Sequence, residues 1–220
     1  MSGSIELSAL LVSLQVGLAA LLLLAPVGLV LALYLARGPA RGRSLIEAVV
    51  MLPLVLPPVA VGVGILIVCG RSGLGPLLTQ LGIPLVATWR GAALASAVVG
   101  LPVFVRVART AFEQVDPRLE AMAATLGASR LRVLLTVTLP LARRGLVAAA
   151  VLALARALGE FGATILVAGS VIGRTQTLPL AIFEATEGRE PDLALRLCAL
   201  SALLGLGLSL LAVRLERSRA

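Results

Sequence analysis

Long apolar runs separated by short polar connections dominate the chain. Several of these runs exceed the roughly 18 apolar residues that indicate a membrane-spanning helix. The pattern therefore predicts an all-α integral membrane protein in which residues 1–220 form a single domain. It also predicts about five transmembrane helices, at residues 7–36, 46–69, 91–107, 145–167 and 193–213.

Arginine is concentrated in every second connection between these runs. The connections after the first and third runs and the segment after the last run carry Arg37, Arg41, Arg43, Arg118, Arg130, Arg132, Arg143, Arg144, Arg214, Arg217 and Arg219. The two other connections carry only Arg71, Arg90, Arg174 and Arg189. Because cytoplasmic loops carry an excess of basic residues, we expect a multi-pass protein with its N-terminus outside the cell and its C-terminus in the cytoplasm.

The composition excludes several other classes of protein. Only 14% of the residues are charged and the mean hydropathy is +1.06, whereas about a quarter of the residues of a soluble domain are charged. The net charge of +8 is not accompanied by the stacking residues of a nucleic-acid-binding surface, since aromatic residues make up 3% of the chain. We therefore expect the lipid bilayer, and no nucleic acid, as a partner.

Missing residue types narrow the chemistry further. All 19 basic residues are arginine, and the chain has neither lysine nor histidine. Without lysine the chain has no phosphate-binding loop of the ATPase type, and without histidine it lacks the commonest metal ligand and general base. Cys69 and Cys198 match no metal-binding spacing. We expect no catalytic residue, no metal site and no cofactor on this chain.

Prolines interrupt three of the apolar runs, at Pro26, Pro53, Pro57, Pro58 and Pro102. Proline removes a backbone donor and kinks or breaks a helix. Broken helices are tolerated in membranes where protein buries them or water lines them. The prolines fit a conduit through the membrane, and they fit ordinary kinking of spanning helices equally well.

The connection at residues 116–140 has the pattern of two short helices. Asp116 followed by a proline is a good helix start, and Gly127 suits the end of that helix. Ser129 can cap a second helix, which we expect to end at Pro140. Such a connection can dock into a groove of another protein or lie on lipid headgroups. The first helix has one apolar face, made by Leu119, Met122, Ala123 and Leu126.

A resemblance to a known family favours docking. Gly127, followed after nine residues by Val-Thr-Leu-Pro at 137–140, resembles the cytoplasmic EAA loop of binding-protein-dependent ABC importer permeases. The glutamate of the family pattern aligns with Ala121 of this chain, while Glu120 lies one place earlier. Either Glu120 replaces the missing charge or the contact is made differently.

Three further segments resemble the permeases of oxyanion importers, and the molybdate branch in particular. They are LPLVLPPVAVG at 52–62, ARALGEFGATILVAG at 155–169 and GRTQTLPLAI at 173–182. Sulfate and tungstate permeases share the Leu-Gly-Glu-Phe-Gly core, so they remain an alternative. The resemblance implies the transmembrane permease subunit of an ATP-driven molybdate importer in a bacterial or archaeal cell (inner) membrane.

The resemblance also implies partners and a coupling site. Family members form a dimer of permeases on a dimer of cytoplasmic ABC ATPases, and an extracytoplasmic binding protein delivers the anion. ATP and Mg would therefore bind the partner ATPase, and residues 116–140 would be the cytoplasmic coupling loop. The residues expected to couple the chain to the ATPase are Leu119, Glu120, Met122, Ala123, Leu126, Gly127 and Arg130.

A carboxylate inside the fourth apolar run is a candidate for the translocation path. Charged groups in spans are costly and usually functional, and Arg156 lies four residues before Glu160 on the same helical face. Glu160 either lies at the path or its gate, or forms a neutral pair with Arg156 that holds the helix. Conduction needs weak sites, which glycine backbone and hydroxyl groups provide. The candidates for the path or gate are Arg156, Glu160, Gly162, Thr164 and Ser170.

A channel or secondary transporter that works without an ATPase is a less favoured possibility. Secondary transporters are often built from inverted repeats and carry acidic proton relays. The sequence shows no inverted repeat and no acidic proton relay beyond Glu160.

Overall fold

The computed structural model describes residues 2–39 and 41–217, so Arg219 lies outside the described residues. Within these ranges the chain is helical and contains no β-strand. Its helices are α1 (Ser2–Arg37), α2 (Arg43–Val55), α3 (Pro58–Cys69), α4 (Gly75–Gln80), α5 (Trp89–Glu113), α6 (Pro117–Thr125), α7 (Arg130–Val133), α8 (Leu139–Leu158), α9 (Gly162–Ala168), α10 (Leu178–Glu187) and α11 (Pro191–Arg217).

Four helical segments of the described chain are long and apolar enough to cross a membrane. They are α1, α5, α11 and the continuous helix formed by α7 and α8. The pair α2 and α3 makes a fifth candidate span, bent by 111°. The predicted all-helical membrane protein with about five spans is therefore confirmed. The first span, α1, has 36 residues, which is more than the roughly 20 that a bilayer requires.

The bend between α2 and α3 follows from two adjacent prolines. A proline disfavours the helical conformation of the residue before it, and Leu56 is accordingly extended, with φ −70° and ψ 145°. Pro58 then occupies the first turn of α3, where the missing backbone N–H costs nothing. The predicted span 46–69 is thus two helices that meet at a sharp angle.

The predicted span at residues 145–167 needs a correction. The helix begins earlier and ends at Leu158, and residues 159–161 separate it from the short helix α9. Gly159 ends α8, and the side chain of Glu160 accepts a hydrogen bond from the Ala163 backbone N–H at 2.9 Å. That bond satisfies a free donor in the first turn of α9, so the carboxylate stabilises the interruption.

The prediction that Pro140 ends a helix is wrong. Residues Leu134–Thr138 form a π-helical turn that joins α7 to α8, and Pro140 lies in the first turn after it. In this turn the Leu139 N–H donates to the Leu134 carbonyl, five residues back. The wider turn lets the chain pass the proline without a break, as π-turns inside helices do.

Small residues bring the spanning helices close together. α1 and α8 flank α5, and the buried core between them is rich in alanine, including Ala97, Ala108, Ala149 and Ala153. A Cβ atom added at Gly100 of α5 would lie 3.3 Å from the Ala153 carbonyl oxygen of α8. Close backbone approach at small residues is how membrane helices pack without a hydrophobic driving force between them.

Candidate functional site

The predicted coupling loop is built as two capped helices. The Asp116 carboxylate accepts from the Arg118 N–H at 2.9 Å and begins α6, and the Ser129 hydroxyl accepts from the Arg132 N–H at 3.4 Å and begins α7. Gly127 separates the two helices with φ +85°, a left-handed conformation that glycine adopts without strain. The loop therefore has the predicted helix starts at Asp116 and Ser129 and the predicted glycine between the two helices, although the second helix continues past Pro140.

The first helix of this loop exposes apolar side chains. Leu119 is 44% exposed, Met122 62% and Leu126 87%, while Ala123 is half-buried. Leu131 of α7, which the periodicity did not single out, adds a side chain that is 64% exposed. We call Leu119, Met122, Leu126 and Leu131 the apolar loop surface. A set of large apolar side chains on a polar connection marks an interaction surface.

Glu120, in contrast, faces the body of the protein. Its Oε2 lies 3.3 Å from Arg37 Nε, and its Oε1 accepts a hydrogen bond from the Thr138 hydroxyl at 2.8 Å. Arg37 Nη2 also donates to the backbone carbonyls of Phe112 and Val115 at 3.0 and 2.7 Å. These contacts join α6 to the ends of α1, α5 and the π-turn before α8.

A cleft of about 780 Å³ lies beside these contacts. Arg130, a predicted coupling residue, is exposed and lines the cleft together with Arg37 and Glu120. The rest of its lining is Leu33, Ala124, Ala128, Leu131, Val133, Leu134 and Thr138. The cleft is thus mostly apolar with a charged edge.

The second candidate site lies at the interruption between α8 and α9. Arg156 Nη2 lies 3.0 Å from Glu160 Oε2, so the pairing expected from their spacing is present. The Glu160 side chain is 1% exposed, whereas that of Arg156 is 31% exposed. The buried carboxylate is therefore held by one charged partner and by the Ala163 N–H, while the Arg156 side chain stays partly exposed.

The two interruptions of the spans lie against each other. A Cβ atom at Gly162 would come within 3.0 Å of Pro58 Cβ and 3.3 Å of the Val59 backbone nitrogen. A Cβ atom at Gly62 would likewise lie 3.0 Å from Ala163 Cα. The start of α9 is therefore packed on the start of α3, and both contacts depend on glycine.

Several buried polar atoms in α9 and in the segment between α9 and α10 have no hydrogen-bond partner. They include the hydroxyls of Thr164 and Ser170, which the sequence nominated, and the hydroxyl of Thr177 and the side-chain amide oxygen of Gln176, which it did not. Thr164 and Thr177 are 1% and 4% exposed. Unsatisfied buried polar groups are rare and call for an explanation, such as water or an ion. In the sequence, the segment around Arg174 is marked by its hydroxyl residues and by its resemblance to oxyanion permeases, but neither signal singles out Gln176 or Thr177.

Arg109, at the arginine-rich end of α5, forms ion pairs with two carboxylate side chains. It contacts Glu47 of α2 and Glu113 of its own helix, each at 2.7 Å.

Within residues 2–39 and 41–217, no group of three or more cysteine, aspartate or glutamate residues is placed to hold a metal ion.

The fold and the exposed loop define a membrane-embedded transporter subunit with an apolar surface for a partner. Residues 26–219 match the family model described as binding-protein-dependent transport system inner membrane component. The chain belongs to this family of permeases. Membership implies an ATPase and a substrate-binding protein as partners in general, and as a permease subunit the chain is not itself an ATPase.

Individual relatives cover most of the chain. The molybdenum transport system permease protein ModB of Haemophilus influenzae is 46% identical over 205 residues, which is 91% of this chain and 89% of the relative. ModB of Escherichia coli K12 is 45% identical over 222 residues, covering 98% of this chain and 96% of the relative. The sulfate transport system permease protein CysW of Synechococcus elongatus is 42% identical over 159 residues, which is 72% of this chain and 56% of the relative.

The fold itself occurs in solved transporters. A bacterial ABC transporter involved in the import of the acidic polysaccharide alginate superposes with a TM-score of 0.69 at 20% identity, covering 96% of this chain and 79% of that chain. At this identity the likeness concerns the fold alone. It supports the arrangement of the described helices as that of an ABC importer permease.

Proposed function

We propose that the chain is the transmembrane permease subunit of an ATP-driven importer of molybdate. The observation that carries the proposal is the similarity to two molybdenum permeases, which are 46% and 45% identical to this chain over 91% and 98% of its length. The exposed apolar loop surface supports the coupling role, because an unattached apolar surface on a polar loop fits a groove in a partner protein. The full assembly would contain two copies of this chain, two ATPase subunits that bind ATP and Mg, and an extracytoplasmic molybdate-binding protein.

The same assignment gives an orientation. The arginine-rich connections and the coupling loop lie in the cytoplasm, with the N-terminus outside and the C-terminus inside. The positive-inside rule supports this orientation, and so does the need of an ATPase for nucleotide from the cytoplasm. To test it, Cys69 and Cys198 are replaced by alanine, and single cysteines introduced at Ser129 and Ile172 are labelled with an impermeant reagent in intact cells. Only Ile172→Cys should react.

For the translocation path we propose the junction between α3 and α9. The Arg156 side chain is partly exposed there, and the hydroxyls of Thr164, in α9, and Ser170, just after α9, supply neutral donors without a partner. Because Glu160 neutralises Arg156, an oxyanion would bind only weakly at these donors. Gly162 keeps the two short helices close enough to form the junction.

The second candidate is sulfate or tungstate import, which the similarity to a sulfate permease favours. The test is reconstitution of the purified complex in liposomes with its ATPase and binding protein. ATP-dependent uptake of radioactive molybdate that excess sulfate does not suppress supports molybdate, and suppression by sulfate supports the alternative. Uptake that needs no ATP would instead indicate a channel or secondary transporter.

A further inference from the structure

We propose that Glu120 works inside the chain rather than across the interface with the ATPase, and that Arg37 is the positioning residue that passes movement of the coupling helix α6 to the spanning helices. The inference rests on the proposed function, since it describes how the coupling loop acts. It assigns a role to Arg37, which the sequence marks only as one of many arginines on the basic side.

The helix α6 has little else that attaches it to the protein. None of its residues is buried, and its large apolar side chains Leu119 and Met122 are exposed. Glu120 is half-buried, and its side chain reaches other helices through Arg37 and Thr138. A force applied to α6 by a partner therefore reaches the spans through the chain connections at its two ends and through Glu120.

Both oxygens of Glu120 are occupied by these contacts. Oε1 accepts from the Thr138 hydroxyl, and Thr138 itself is 3% exposed. Oε2 is paired with the Arg37 guanidinium, and the two side chains are only 20% and 27% exposed. A carboxylate in this position is directed away from the apolar loop surface, so it is poorly placed to meet a cation on the ATPase.

Arg37 is suited to link several elements at once. Its Nη2 donates to the carbonyls of Phe112, in the last turn of α5, and of Val115, just after that helix. The planar guanidinium offers five donors in a fixed arrangement, which a lysine ammonium does not. One side chain therefore holds the ends of α1 and α5 together while its Nε faces Glu120 of α6.

The Arg37–Glu120 contact also has room to tighten. The Arg37 Nε–H is buried and makes no hydrogen bond, although it lies 3.3 Å from Glu120 Oε2. A small reorientation of either side chain would complete this hydrogen bond, whose donor and acceptor are both charged and hence form a stronger bond than neutral groups.

The test uses the complex with its ATPase and binding protein, and compares wild type with Glu120→Gln, Arg37→Gln and the double variant. Two quantities are measured: the ATPase retained during purification, and the anion taken up by liposomes per ATP hydrolysed. Arg41→Gln is the matched control, because it removes an arginine with an exposed side chain from the same connection.

We expect each single variant to retain the ATPase and to lower uptake per ATP by about fivefold or more. A factor of about five is the lower end of the range that is typical of coupling between two sites. The double variant should lose no more than the worse single variant, because both remove one contact. Arg41→Gln should behave as wild type. Thr138→Val, which removes only a hydroxyl, provides a milder variant if Arg37→Gln does not fold, and it should lower the same ratio by a smaller factor.

Loss of the ATPase from Glu120→Gln with retention in Arg37→Gln would show that Glu120 contacts the ATPase and would overturn the proposal. Uptake per ATP equal to wild type in both single variants would overturn it as well. These outcomes leave the proposed function intact. Absence of ATP-driven uptake by the wild-type complex would instead overturn the proposed function, and the coupling role with it.

Discussion

Gly162, in the first turn of α9, lies so close to Pro58, in the first turn of α3, that a Cβ atom at Gly162 would come within 3.0 Å of the proline ring. Two interrupted spans therefore meet at their interruptions. In a bilayer such irregular backbone is tolerated only where protein or water surrounds it. Close packing of the two interrupted spans therefore depends on the absence of a side chain at Gly162.

Replacement of Gly162 by alanine should destabilise the protein. Its new methyl group would press on Pro58 and Val59, and overpacking of this kind costs about 1–3 kcal/mol. The midpoint of thermal unfolding in detergent should fall. Gly64→Ala is the control, since a Cβ there meets nothing within 4 Å and alanine favours a helix over glycine. Equal midpoints for the two variants would refute the close contact.

Charge on the apolar loop surface should release the ATPase. Met122→Arg or Leu126→Arg places a charge where an apolar groove is expected, and loss of a central contact costs about 2 kcal/mol or more, roughly 30-fold in affinity. Co-purification of the ATPase with tagged permease measures the effect. Ile172→Arg changes an equally exposed apolar residue of another connection and should keep the ATPase. Retention by all three variants would argue against docking at this surface.

The two halves of the Arg156–Glu160 pair should differ in their sensitivity to substitution. Arg156→Gln leaves the buried Glu160 carboxylate without its cation, and breaking a buried pair from one side costs roughly 3–5 kcal/mol. Glu160→Gln should cost less, because Arg156 is 31% exposed and the amide oxygen can still accept from Ala163. The midpoint temperature of unfolding should therefore be highest for wild type, lower for Glu160→Gln and lowest for Arg156→Gln. The double variant should recover part of the loss, and a reversed ranking would contradict the assigned burial.

Two buried hydroxyls should respond in opposite ways to removal. The Ser13 hydroxyl accepts from the Leu178 N–H at 2.7 Å, so Ser13→Ala leaves a buried donor unsatisfied and should cost about 1–3 kcal/mol of stability. The Thr164 hydroxyl has no partner, so Thr164→Val should leave stability unchanged or raise it. If Thr164 contacts the anion, the valine variant should transport more slowly while it unfolds at the same temperature or higher. Normal uptake by Thr164→Val would remove this residue from the path.

Local patterns in the sequence predicted what depends on neighbouring residues. Each of the correctly predicted features joins residues that are only a few positions apart. They are the caps of α6 and α7, the glycine between these helices, and the pairing of Arg156 with Glu160. The number of spans follows from apolar runs in the same way. These features could be recognised because the chemistry that causes them is contained in a short window.

Contacts between residues that are far apart in the chain could not be predicted from the sequence. Arg37 and Glu120 are 83 positions apart, and nothing in their spacing indicates contact. The packing of Gly162 on Pro58 joins two helices 104 positions apart. Pro140 misled the prediction for a different reason: a proline normally ends a helix, and only the π-turn before it allows continuation.

The length of α1 has a mechanical consequence. Its Ser13 holds the first turn of α10, and its last residue, Arg37, holds α5 and α6. Ser13 and Arg37 are 24 positions apart, which corresponds to about 36 Å along the helix axis at a rise of about 1.5 Å per residue. A tilt of only about 5° about one end displaces the other by roughly 3 Å over that length. α1 can thus act as a lever, which turns a small rocking motion on one face of the membrane into a side-chain-sized step on the other.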